Sequence, residues 1–119
     1  MQYMLLIYGD PAISGARSED ENRALMGEYF AYTDGLREAG VLVAGEPLED
    51  ATAATTVRKR DGKQIVSDGP FAETREVLGG FYIIECGSLD EALEHAGRCP
   101  GALTGSIEVR PVIAMPART

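Results

Sequence analysis

Histidine, cysteine and basic charge are all scarce in this chain, and long apolar runs are missing. One histidine, His95, and two cysteines, Cys86 and Cys99, stand in 119 residues. That is too few for a disulfide scaffold or a cysteine–histidine metal site, so no metal and no other cofactor is expected. Two unpaired thiols fit a reducing cytoplasm. No apolar stretch approaches the roughly 20 residues of a membrane helix. The N-terminal MQYMLLIYGD is apolar but short and has no basic flank, so it does not read as a signal peptide. Lysine and arginine number 11 against 19 acids, a formal net charge of −8. Such a chain repels phosphate backbones, which argues against a direct nucleic-acid partner. The sequence also holds no P-loop, dinucleotide fingerprint, nucleophile elbow or zinc spacing.

What is present suits one folded domain. Hydrophobic residues make up 45% and charged residues 25%, ordinary for a globular chain. The domain is expected over residues 1–113, with a loose tail over 114–119. Residues 1–50 carry 10 acids and 3 bases, so the acidic excess sits mostly there. The run Arg58-Lys59-Arg60 reads as a solvated strand end before a turn.

Periodicity sets the element order. YMLLIY (3–8) is a compact apolar run closed by Gly-Asp-Pro, hence a strand. Ser18 with Glu21 three residues on makes a capping box. Leu25, Met26, Tyr29, Phe30, Thr33 and Leu36 then share one helical face up to a Gly40 stop. Val41–Leu48 is a second strand. Thr55–Lys59 and Gln64–Ser67 form a hairpin around Asp61-Gly62, a pair that tolerates φ > 0. Gly79–Cys86 is a further strand, with Gly79-Gly80 marking a bulge or a close backbone approach. Ser88 and Glu91 form a second capping box ahead of a helix with Leu89, Ala92, Leu93 and Ala96 on one face, and Gly105–Ile113 is the last strand.

Two strand–helix–strand halves predict an α+β, ferredoxin-like sandwich with an inserted β-hairpin. Two helices cover only one face of such a sheet, yet YMLLIY and FYII are apolar on both faces, because side chains alternate along a strand. The bare face would be a large apolar patch on a monomer. A second copy covers it most simply, so a homodimer packed sheet to sheet is expected.

The segment Asp68-Gly69-Pro70-Phe71-Ala72-Glu73-Thr74-Arg75-Glu76 makes the chain recognisable. With YMLLIYGD, AGVLVAGEPL (39–48), LGGFYIIE (78–85), Arg98-Cys99-Pro100 and IEVRPV (107–112), it resembles the YCII-related family and its DGPF-domain branch. The resemblance implies a dimeric α/β barrel of ferredoxin-like subunits. Related proteins resemble muconolactone isomerase-like enzymes, for which a His–Asp pair in a cleft is the proposed acid–base machinery. Here the first helix has no histidine, so that pair does not carry over. DGPF-branch members also commonly bear names suggesting transcription initiation.

Two functions from different classes follow. The first is a small-molecule lyase or isomerase using carboxylates for proton transfer in a dimer-associated cleft. Asp68, Glu73 and Glu108 are its candidate acid–base groups. Arg75 and Arg110 are candidates for holding a small anionic ligand, because guanidinium binds carboxylates in a bidentate fork. Glu76, Tyr8 and Tyr82 would complete the binding set. The second is a non-catalytic ligand-binding or interaction module, a regulatory partner of transcription. Each candidate also has a structural reading. Asp68-Gly-Pro-Phe is turn chemistry with Phe71 plugging the core, and Glu73, Arg75, Glu76, Glu108 and Arg110 form surface or intersubunit ion pairs. Tyr8 and Tyr82 are core or interface aromatics.

Overall fold

The computed structural model describes residues 1–117. Of the expected tail, residues 114–117 carry no helix or strand, and Arg118 and Thr119 lie outside the described residues. The YMLLIY run forms β1 (Gln2–Gly9). Asp10 then accepts from the Ala12 N–H at 2.9 Å and Pro11 occupies the first helical position, so a short helix α1 (Pro11–Gly15) forms where the sequence suggested only loop. Both halves of the Ser18–Glu21 capping box are made, and α2 (Glu19–Glu38) follows. Gly40, at φ 73°, ends it.

Next come β2 (Leu42–Pro47), a single 3₁₀ turn at Ala51–Ala53, and the ribbon β3 (Thr55–Arg60) and β4 (Lys63–Asp68). Asp61 and Gly62 take φ 53° and 76° at the ribbon's tip, the left-handed pair that matches strand twist. The chain continues through β5 (Val77–Glu85), α3 (Leu89–Arg98), a 3₁₀ turn at Pro100–Ala102 and β6 (Ser106–Pro111). The second capping box closes differently from expectation. Ser88 accepts from the Glu91 N–H, but the Glu91 carboxylate takes the N–H of Gly87, one residue upstream of the cap.

The architecture is α+β. Four strands form an antiparallel sheet in the order β2-β5-β1-β6, and β3–β4 is a separate antiparallel pair. Tyr3, Leu5, Tyr82 and Ile84 on one face of the sheet bury against Leu36 of α2 and Ala92 and Ala96 of α3, with Ile107 and Val109 packed alongside. Leu89 and Leu93, expected on the buried face of α3, stay about half exposed, because the small Ala92 and Ala96 bring the helix down on a narrower line.

The opposite face carries Met4, Leu6, Phe81 and Ile83. Met4 lies between Ile83 and Arg110, and Leu6 between Phe81 and Glu108. The subunit is a slab of 52 × 48 × 19 Å with a radius of gyration of 16.5 Å, against about 13–14 Å for a compact chain of this length. Part of the excess is the β3–β4 ribbon, which packs mainly on itself and touches the main sheet sparsely. Among the described residues, no helix is long and apolar enough to cross a membrane.

Candidate functional site

A half-open cleft of about 940 Å³ lies between α2 and the sheet, within the size range of small-molecule sites. Two glycines create it. Cross-strand partners share a face of the sheet. Gly45 pairs with Tyr82, and Gly80 pairs with Ile7 and Pro47, so both glycines sit on the helix-facing side, where the rest of the sheet carries large side chains. The backbone there is closely packed. A Cβ at Gly45 would stand 2.6 Å from the Tyr82 ring, and one at Gly80 would stand 3.0 Å from the Glu46 carbonyl. Above this floor runs the N-terminal half of α2. Leu25, Met26, Tyr29 and Phe30 line the cleft, Phe30 staying 64% exposed because no sheet side chain rises to meet it.

Polar groups converge at one place in this apolar slot. The Thr33 hydroxyl donates to the Tyr29 carbonyl at 2.8 Å and lies 2.7 Å from the Tyr82 hydroxyl. Threonine has one hydroxyl proton, so Tyr82 is the donor in the second contact and keeps acceptor lone pairs for a guest. Tyr32 packs edge-on against the Tyr82 ring at 5.4 Å and donates to the His95 carbonyl at 2.6 Å, which fixes the ring. Burial raises the pKa of Tyr82, and burial with the neighbouring Cys99 thiol pushes that of Tyr29 well above the usual range. Both phenols therefore stay protonated, serving as hydrogen-bonding groups and not as bases. At the mouth, Arg17 reaches Thr104 at 3.4 Å, and Arg37 pairs with Asp34 at 3.0 Å. Glu49 and Asp50 lie along the lip.

The residues singled out from the sequence fall in several places. Tyr82 is in the cleft and Tyr8 reaches its rim. Arg75 bonds Asp10 at 3.3 Å, and Glu76 accepts from Ser106 at 2.7 Å, which ties the loop after β4 to the end of the sheet. The Ala12 N–H and then Arg75 hold the Asp10 carboxyl below its ordinary value. Glu108 and Arg110 are exposed on the open sheet face, on the side opposite Ile107 and Val109. Asp68 pairs with Thr55 at the root of the ribbon, and Glu73 is on the exposed loop. Gly69 takes φ 89° and Thr56 donates to its carbonyl, as turn chemistry requires, but Phe71 is 77% exposed and does not plug the core. The loop is held outside by Arg58, which donates to the Phe71 carbonyl. Among the described residues, no three His, Cys, Asp or Glu side chains gather as a metal ion would need.

Sequence reasoning missed Gly45, Thr33, Tyr29 and Arg17 as site residues. The available signal was a glycine in the middle of the AGVLVAGEPL strand, where a side chain would be expected to face the helix. Gly79-Gly80 did carry its meaning. The register slips at Ile7/Tyr8, opposite this pair.

Among solved structures, the fold is similar to 5-chloro-2-hydroxyhydroquinone dehydrochlorinase from Burkholderia phenoliruptrix, determined with 2,5-dihydroxybenzoquinone. The TM-score is 0.55 and the identity 17%, over 95% of this chain and 94% of that one. An uncharacterized protein of Rhizobium meliloti (strain 1021) is 46% identical over 114 residues, 94% of this chain and 92% of the relative. The YCII-related domain matches residues 1–116. With that match spanning nearly the whole chain, the protein belongs to the YCII-related domain family.

Proposed function

We propose that the chain is a small-molecule enzyme of lyase or isomerase type that binds a compact, hydroxylated ring in the α2–sheet cleft. The observation that carries the reading is the glycine-floored slot with the Thr33–Tyr82 hydroxyl pair at its polar end. The apolar walls suit a ring, the Tyr82 lone pairs suit a ring hydroxyl, and Arg17 at the mouth suits an ionised oxygen or carboxylate. The Burkholderia dehydrochlorinase, a fold relative in complex with 2,5-dihydroxybenzoquinone, supports this ligand class. Proton transfer needs a base. Glu49 and Asp50 border the slot and are carboxylates placed to supply one, whereas Asp68, Glu73 and Glu108 lie away from its lining.

The working unit in this reading is a homodimer of ferredoxin-like subunits, packed through the open sheet face into an α/β barrel. It belongs to the DGPF branch and acts in the cytoplasm. A second reading, ligand binding without turnover, has its own support. The polar end of the slot is built from the Thr33 and Tyr82 hydroxyls, which can bind and orient a ring hydroxyl without acting as bases.

A panel of hydroquinones, hydroxybenzoquinones and muconolactone-type acids tests both. At millimolar concentration a fitting compound raises the melting temperature by ligand linkage, and Tyr82→Phe weakens that response. Loss of the compound's absorbance with time marks the enzyme, and a thermal shift without loss marks the binder. A panel that leaves the melting temperature unmoved sinks the cleft assignment.

A further inference from the structure

The β3–β4 ribbon has two unlike faces. In an antiparallel pair, residues directly opposite share a face. One face carries Thr56 with Ser67, Arg58 with Ile65, and Arg60 with Lys63. The chain's own loop folds back onto it: Thr56 donates to the Gly69 carbonyl at 2.8 Å and Arg58 to the Phe71 carbonyl at 3.1 Å. The other face carries Thr55 with Asp68 at the root, Val57 with Val66 in the middle, and Lys59 with Gln64 near the tip. All six are exposed, and the two valines are each 58% exposed. A two-stranded ribbon is marginal in water without something packed on it, and a bare paired-valine face is a poor surface for a free arm.

The order of chemistry along this face is self-complementary. It runs acid, apolar, base, with the valine row midway between Asp68 and Lys59. An isologous contact needs a patch that matches itself after a two-fold rotation. Turning the face over about an axis through the valine row puts Val57 on Val57 and Val66 on Val66 of the second copy. It also brings each Lys59 over the other ribbon's root, within a lysine's reach of Asp68.

We propose that this face of the β3–β4 ribbon is a clasp between two copies of the chain, with valine row on valine row and Lys59 of each copy paired to Asp68 of the other. The proposal rests on the dimer reading above and assigns Asp68 to assembly. One face of the ribbon is crossed by its own loop at Thr56 and Arg58, and the other face carries no such contact among the described residues.

Single cysteines test it in the otherwise native chain, where Cys86 and Cys99 are buried. Under mild oxidation, Val57→Cys runs mostly as a covalent dimer on a non-reducing gel. Ile65→Cys, on the loop-wrapped face, stays a monomer on the same gel. In parallel, Lys59→Asp and Asp68→Lys each raise the dimer dissociation constant by about tenfold, and the double swap restores it. Equal cross-linking at positions 57 and 65, or unchanged dissociation constants, overturns the clasp. If Leu6→Glu still breaks the dimer in that case, the sheet-to-sheet dimer stands without it. A wild-type chain that sediments as a monomer removes both.

Discussion

Cys99 and Asp10 show how the same fold treats two reactive groups in opposite ways. Cys99 is 1% exposed under the Pro100 turn, and burial pushes its thiol above the usual range. Thiolate, not thiol, is the nucleophile. An aromatic disulfide reagent at neutral pH is therefore expected to titrate the native chain slowly and to find two thiols at once in denaturant. A fast stoichiometric reaction of the native protein would contradict the burial. Asp10 is held below its ordinary value of 3.8 by the Ala12 N–H and by Arg75. Its contribution to stability is complete above that value and fades as pH falls through the lowered one. Asp10→Asn should flatten the acid limb of the stability–pH curve and leave the neutral limb's slope alone, as chemical denaturation at a series of pH values would report. Tyr82 was legible in the sequence as an aromatic with a polar tip. Arg75 and Glu76 were legible only as charges, because their partners Asp10 and Ser106 come from 65 and 30 residues away. No local pattern encodes such pairs.

At the scale of elements, what was legible followed from period and punctuation. β1, α2, the Asp61-Gly62 hairpin, β5 and β6 all stand close to where alternation, capping and turn residues put them. The cleft was not legible, because it arises from side chains that are missing. α2 reads as one continuous amphipathic helix, yet only Leu36 near its C-terminal end is buried. The earlier turns hang over Gly45 and Gly80, and the apolar face meant for packing becomes a wall. Gly45→Val tests this directly. Its Cβ would fall 2.6 Å from the Tyr82 ring, so the ring must move, the Thr33 contact is lost and the slot fills. Losing one net hydrogen bond costs roughly 0.5–1.5 kcal/mol, and forcing atoms into a packed site typically costs about 1–3 kcal/mol. The variant should therefore unfold at lower urea and lose ligand-induced thermal shifts. A Gly45→Val chain that keeps its ligand response would place the guest elsewhere.

For the whole molecule, the flat shape is the strongest constraint. A chain that folds into a slab 19 Å thick with helices on one side leaves the second side of its sheet unfinished. On that side Met4, Leu6, Phe81 and Ile83 form adjacent cross-strand pairs, with Glu108 and Arg110 along the β6 edge. The charges at the edge and the apolar residues behind them have the layout of an interface: a dry centre and a polar rim. If two such faces meet, folding and association are linked, and the melting temperature must rise with chain concentration. Leu6 sits at the middle of the patch, between Phe81 and Glu108. In the single subunit a glutamate there points to water and leaves the helix-side core of Tyr3, Leu5 and Ile84 untouched. In the dimer it places an unpaired charge in the apolar centre, a change that typically costs several kcal/mol. Leu6→Glu should therefore sediment as a folded monomer with native far-ultraviolet dichroism. Its melting temperature should no longer depend on concentration, and its radius of gyration in solution should approach the 16.5 Å of the lone subunit. A wild-type protein with those same three properties would mean that the open face is solvated in the working molecule and that no second subunit covers it.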